Sequence, residues 1–167
     1  MRQNAETVCL PIKTTDGVFM ARYSPRGLCQ LDFPAKRKNP PDSEQKISEL
    51  IRVWHGVTSI ALKLTLAGKV PRELPPLDLS CGTDFQRDVW RQLLRIKRGN
   101  TRTYADVSAL IGKPKAMRAV GGACGANPIP VLVPCHRVVA MNGKIGGFSG
   151  GPGWKETLLA REGVFLT

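Results

Sequence analysis

Over the first thirty-odd residues, apolar positions alternate with polar ones. Val8 to Thr14 carries β-favouring residues and ends at Asp16-Gly17, a pair suited to a tight hairpin. Val18 to Tyr23 follows, then Ser24-Pro25-Arg26-Gly27 as a second turn, then Leu28 to Phe33. Three strands of a small antiparallel sheet are predicted. Pro34 to Pro41 is basic and bounded by prolines, and reads as a loop. From Ser43 the period changes: Ile47, Leu50, Ile51 and Trp54 recur at helical spacing. Gly56 is expected to interrupt that helix. Ile60 to Leu66 either continues it or forms another short element.

Val70 to Leu79 holds Pro71, Pro75 and Pro76 and reads as an extended linker. Beyond it the texture is helical. Thr83 and Gln86 fit a capping box, and Phe85, Val89, Trp90, Leu93 and Leu94 mark one apolar face that Gly99 terminates. Thr103 caps a second helix through Val107, Leu110 and Ile111, stopped by Gly112. Pro114 is expected to open a third helix running to about Cys124, since proline is tolerated in a first turn. Helix, short glycine-containing turn, helix is the spacing of a helix-turn-helix. The fold class expected is therefore α+β. Residues 1–78 form an N-terminal sheet-and-helix domain, and residues 79–167 a mainly helical C-terminal domain.

The third helix is rich in small residues: Ala116, Ala119, Gly121, Gly122 and Ala123. Each glycine weakens a helix by roughly 1 kcal/mol, so adjacent glycines need a reason. Close packing against another helix is one; close approach to a nucleic-acid backbone is the other. Charge bears on the choice. The chain of 167 residues carries a net +12, and residues 79–118 hold 9 Lys+Arg against 3 Asp+Glu. Half the excess sits in this one short central stretch, which favours a polyanionic partner. No apolar run reaches the length of a membrane span, and Met1 to Glu6 is polar. These features predict a soluble intracellular protein with no membrane partner.

Five cysteines, an odd number without a CxxC pair, argue against a disulfide scaffold. With only His55 and His136 as histidines, no zinc-type spacing arises, and no metal or other cofactor is expected. The chemistry gathers at residues 127–138, Asn-Pro-Ile-Pro-Val-Leu-Val-Pro-Cys-His-Arg-Val. Ile129 to Val133 reads as an apolar strand delivering Cys135, with His136 and Arg137 directly after it. A thiolate is a nucleophile, and a basic neighbour raises its population. Neighbours in extended chain point to opposite faces, so the link from His136 to Cys135 needs a turn or a bridging water. A carboxylate to orient the imidazole would come from Glu156 or Glu162. Cys124 is read as a packing cysteine.

Pro134-Cys135-His136-Arg137-Val138 resembles the acceptor signature of the O6-alkylguanine-DNA alkyltransferases, the methylated-DNA–protein-cysteine methyltransferases. The resemblance extends from Gly82 to Gly163: Phe85-Gln86-Arg87, Val89-Trp90, Thr103-Tyr104, Arg118 to Gly122, Asn127-Pro128, Ser149-Gly150-Gly151, Lys155 and Glu162-Gly163. The first 78 residues match only loosely. The resemblance implies single-turnover transfer of an alkyl group from O6 of guanine to Cys135, leaving open O4 of thymine as a second substrate. It implies that His136 deprotonates Cys135 through a water, that Glu162 holds His136, and that Asn127 is a hinge to the helix-turn-helix. It further implies that Tyr104 crowds the target phosphate and bonds the guanine ring, and that Arg118 fills the gap left by a flipped base. Val138, Phe148, Ser149, Gly150 and Lys155 would line the substrate and DNA side. The implied partner is double-stranded DNA, bound by a monomer through its minor groove, in the cytoplasm or wherever DNA is accessible.

Three other classes compete. A non-catalytic relative that binds alkylated DNA would lack the acceptor cysteine. A regulatory helix-turn-helix protein would leave Cys-His-Arg without purpose. A thiol hydrolase would have no need of the basic helices and would turn over repeatedly.

Overall fold

The structure is a computed structural model that describes residues 7–34 and 46–166. Strands β1 (Val8–Thr14), β2 (Gly17–Ser24) and β3 (Gly27–Asp32) form the antiparallel sheet in the order β1-β2-β3. Thr14 pairs with Gly17 and Ser24 with Gly27, so both predicted turns join neighbouring strands. Ile12, Phe19, Ala21, Tyr23, Leu28 and Leu31 are buried. The predicted loop over Pro34 to Pro41 falls from residue 35 onward outside the described residues, as does Ser43.

Helix α1 (Glu49–Leu66) is capped by Ser48, whose hydroxyl accepts from the Ile51 amide. It runs unbroken through Gly56, contrary to the expected interruption. A glycine costs a helix roughly 1 kcal/mol, whereas Ala61, Leu62 and Leu66 are almost wholly buried. Burial of either leucine is worth about 1.5–3 kcal/mol, more than the glycine costs. The linker is not free chain either: the Leu28 amide donates to Pro76, and Asp78 returns a bond to Leu28, each at 2.8 Å. Close approach explains Gly27, where a Cβ would lie 2.2 Å from the Pro76 carbonyl oxygen.

Helix α2 (Asp84–Leu93) begins with both bonds of the predicted capping box. Its Trp90 is 1% exposed and donates through Nε1 to the Ala123 carbonyl at 2.8 Å. Strand β4 (Arg102–Thr103) leads into α3 (Tyr104–Leu110), which Thr103 caps. Helix α4 (Met117–Gly125) starts three residues later than expected. Pro114 and Lys115 belong to the turn, closed by a bond from Ala116 N–H to Lys113 and by Ser108 Oγ on the Pro114 carbonyl. The α3-turn-α4 unit packs beneath α2.

The expected strand over Ile129 to Val133 does not form. The segment is buried, but it turns, with Val131 at φ 73° and the Val133 amide bonded to Ile129. Pro128, Pro130 and Pro134 have no N–H to give a ladder. A two-residue strand β5 (Val138–Val139) instead pairs in parallel with β4. Helix α5 (Trp154–Arg161), which periodicity did not single out, closes the chain against the sheet. Phe19, Phe33, Phe148 and Trp154 pack together there, and Arg161 grips Asp16 with both terminal nitrogens at 2.7 and 2.8 Å.

Candidate active site

Cys135 sits on a knot tied by one side chain. Asn127 follows α4, and its Nδ2 donates to the Val133 carbonyl at 2.8 Å while its Oδ1 accepts from the Ile129 amide at 3.0 Å. That closes the proline-rich loop and sets Cys135 at the start of a single 3-10 turn, Cys135–Arg137. Cys135 and His136 therefore share a turn rather than opposite faces of a strand. The same loop is fastened to the sheet by the Leu31 amide on the Pro128 carbonyl at 2.9 Å.

His136 is fully buried, and its Nε2 lies 2.9 Å from Glu162 Oε1. Of the two candidate carboxylates, the one just after α5 reaches the histidine; Glu156 is exposed. Glu162 also accepts from Arg137 Nε and Nη2 and from the Gly99 amide at 3.2 Å. Burial by itself would raise its pKa; hydrogen bonds and charge from His136 and Arg137 overcome that and hold it at about 2. An ionised carboxylate only accepts, so Nε2 carries the imidazole proton and Nδ1 keeps its lone pair. Burial pushes the His136 pKa below its ordinary value, with Glu162 opposing. The ring is thus neutral, and Nδ1, without a hydrogen-bond partner among the described residues, is the atom able to take a proton. The sequence marks Gly99 as a helix stop and Arg137 as a neighbour of Cys135, but not as partners of Glu162. The Cys-His-Arg triplet displays Arg137, but its partner is 25 residues away.

The Cys135 thiol is itself raised by burial, and it is drawn back down by Asn127, Lys155 and nearby backbone N–H groups. Lys155 is only 2% exposed, with Nζ on the Gly147 carbonyl at 3.2 Å and 5.9 Å from the centre of the Tyr104 ring. Its place is in the interior, where its charge acts on the thiol, and not on the outer surface. Burial pushes the Cys124 thiol up to about 12, which suits its expected packing role. Burial also raises the Tyr104 hydroxyl, so it remains a donor at neutral pH.

Tyr104 connects this interior to the helix-turn-helix. Its ring lies 3.8 Å from where a Gly121 Cβ would be, and a Cβ on Gly146 would come within 2.7 Å of its hydroxyl. On α4, Val120, Ala123 and Cys124 face inward, while Arg118, Ala119 and Gly122 are exposed. A Cβ on Gly122 would meet nothing within 4 Å. Helix packing therefore does not explain that glycine, and the face it leaves is smooth, with Arg118 at its start. Val138 is buried behind Cys135, Phe148 stacks edge-on to Phe33, and Ser149 is exposed with Gly150 half-buried beside it. His55 is half-buried against Tyr23, its Nδ1 3.0 Å from the hydroxyl. Among the described residues, no group of three or more His, Cys, Asp or Glu is placed to hold a metal ion. No helix among them is long and apolar enough to cross a membrane.

A buried thiol, a neutral imidazole with its carboxylate, and a helix-turn-helix with a smooth exposed face define the class as a helix-turn-helix protein built around a buried cysteine site. Comparison with known proteins narrows it. Residues 84–164 match the family model described as 6-O-methylguanine DNA methyltransferase, DNA binding domain. The methylated-DNA–protein-cysteine methyltransferase of Methanosarcina acetivorans is 43% identical over 142 residues, covering 82% of this chain and 86% of that protein. The Saccharomyces cerevisiae protein of the same name is 46% identical over 93 residues, 56% of this chain. The matched stretch spans about half the length of that yeast relative, and about half that of a mimivirus relative. The Mycobacterium tuberculosis O6-methylguanine methyltransferase superposes with a TM-score of 0.74 at 34% identity over 94% of this chain and 93% of that one. The same mycobacterial protein in complex with DNA gives 0.72 over 91% and 90%. The chain belongs to the methylated-DNA–protein-cysteine methyltransferase family.

Proposed function

We propose that this protein repairs DNA directly, by moving an alkyl group from O6 of guanine onto Cys135 and keeping it there. The observation that carries the reading is the buried Cys135-His136-Glu162 arrangement, in which an ionised carboxylate leaves His136 neutral with Nδ1 open. His136 Nδ1 takes the thiol proton through a water, and the Cys135 sulfur attacks the alkyl carbon. A carbon–sulfur bond forms as the carbon–O6 bond breaks, and the electron pair leaves on guanine, which then takes up a proton. Donors are wanted where that charge develops; Tyr104 and the Ser149 amide are the groups assigned to it. The Cys135 and Val138 carbonyls would read the exocyclic amine, and Phe148 and Gly150 would wall the base. The product is a thioether, which water does not cleave, so one chain repairs one lesion.

The target atom lies inside the duplex, so the base must leave the stack. The exposed Arg118, Ala119 and Gly122 face of α4 supports a reading in which α4 presses into the minor groove and Arg118 occupies the vacated space. The hydrogen bonds that join Asn127, the Cys135 loop, His136 and Glu162 close within a single copy of the chain, which supports a monomer as the acting unit. Cys135→Ser tests the reading. A serine hydroxyl is hardly ionised at neutral pH, so transfer should vanish while DNA binding persists. Transfer that survives, with the alkyl group on Cys124 or Cys9, would overturn it.

A further inference from the structure

Helices α1 and α5 end at one junction, and each of their last carbonyls has a donor. A helix end leaves four such carbonyls to be satisfied from outside its own ladder. After α1, the Ala67, Lys69 and Gly68 amides donate to the Lys63, Leu64 and Thr65 carbonyls. That closing turn leaves the Leu66 carbonyl, which accepts from Arg161 Nη1 at 3.0 Å. After α5, the Glu162, Val164 and Gly163 amides donate to Leu158, Leu159 and Ala160. The Arg161 carbonyl is left over in turn, and it accepts from Arg98 Nη2 at 3.4 Å. Arg98 Nε also donates to the Gly68 carbonyl, just past α1. Two guanidinium groups thus stand where the negative poles of two helices meet. The approach is close: a Cβ on Gly68 would strike the Arg161 carbonyl.

Each of these arginines directly precedes one partner of a further bond. Gly99 follows Arg98, Glu162 follows Arg161, and the Gly99 amide donates to Glu162 Oε2 at 3.2 Å. The other oxygen, Oε1, is the atom 2.9 Å from His136 Nε2. We infer that Arg98 is a positioning residue for alkyl transfer. By holding the turn after α2 against the ends of α1 and α5, it keeps the Gly99 amide on Glu162, and so keeps Glu162 aimed at His136. Its action runs through Glu162. The end of α1, in the N-terminal half of the chain, then serves as a strut for that carboxylate. This role rests on the reading of Cys135 as the alkyl acceptor, and its test has one arm that needs no transfer at all.

That arm is hydrogen exchange of the full chain, followed by NMR. Arg98→Met removes both bonds of the guanidinium. The Gly99 amide and the His136 ring proton should then exchange roughly tenfold faster than in the parent, while the Trp90 amide, in the core of α2, keeps its rate. Transfer from free O6-benzylguanine, which needs no DNA, reads the chemistry. Arg98 is exposed, so its bonds are modest, and the rate should fall about fivefold near neutral pH. The loss should shrink toward about pH 9, where the thiol ionises without help from His136. In a Glu162→Gln chain the same substitution should cost less than about twofold, because the group it positions is already gone. Unchanged exchange at Gly99 and His136 would overturn the role. So would equal acceleration at Trp90, which marks a fold that is merely looser, or an equal rate loss in both backgrounds. A parent that transfers nothing would instead sink the reading of Cys135, and the exchange at Gly99 and His136 would still decide whether Arg98 places Glu162.

Discussion

Glu162→Gln keeps the shape of the side chain and removes its charge, and its consequences can be worked from the site. The carboxylate accepts from His136 Nε2, from two Arg137 nitrogens and from the Gly99 amide. Its pKa falls from an ordinary 4.5 to about 2. At about 1.4 kcal/mol per pH unit, that difference represents about 3 kcal/mol of folding stability. A depressed acid contributes this in full above about pH 4.5 and loses it as pH falls toward 2. The amide of glutamine would turn one N–H face toward these donors and leave Arg137, only 13% exposed, without its counter-charge. The expected loss at pH 7 is therefore about 3 kcal/mol, or roughly 6–12 °C in melting temperature for a chain of this size. Urea unfolding at pH 7 and near pH 3.5 reads it directly: the parent loses stability between the two, and the variant starts lower and loses less. Alkyl transfer should also slow, because His136 is no longer oriented, and recover in part at high pH as the thiol ionises without help. Equal urea midpoints at pH 7, or equal transfer rates from about pH 6 to 9, would refute the reasoning.

Three further outcomes follow from the same geometry. Arg118→Ala should slow repair of duplex DNA strongly at saturating DNA while sparing reaction with free O6-benzylguanine; equal loss on both substrates would show that Arg118 does not support a flipped base. Lys155→Met removes the buried cation that opposes the rise of the Cys135 thiol, so transfer at neutral pH should fall about tenfold for each unit the thiol rises, with recovery toward alkaline pH; a flat ratio across pH would count against an electrostatic role. Asp16→Asn breaks the grip on Arg161, the residue before Glu162, and should cost about 1 kcal/mol in a partly exposed pair, read as a lower urea midpoint.

Much of this architecture is legible in the chain. The strands and the Thr83 and Thr103 helix starts are written in alternation and capping residues, which act locally. Sequence and structure part where burial overrides local preference. Gly56 lies within a helix because the face beside it is packed on the sheet, and no window of sequence reports that. Ile129 to Val133 reads as a strand by its apolar run, yet three prolines withhold the donors and Asn127 supplies a turn instead. At the site, Cys135 and His136 are visible as a pattern; the residues alone leave Glu156 and Glu162 as carboxylates, and the family resemblance singles out Glu162. The service of Arg137 and Gly99 to Glu162 joins residues 25 and 63 positions apart, and that pairing exists only once α5 has docked. Lys155 has the residue type of a surface contact, and the fold buries it where its charge reaches the thiol.

If Cys135 accepts one alkyl group and never gives it up, intact-protein mass spectrometry after incubation with excess O6-methylguanine duplex will show it. Each chain should gain the mass of a single methyl, located on the Cys135 peptide, with one guanine restored per chain and no further reaction afterwards. An unmodified protein after repair, continued repair beyond one lesion per chain, or a methyl group on another residue would contradict it.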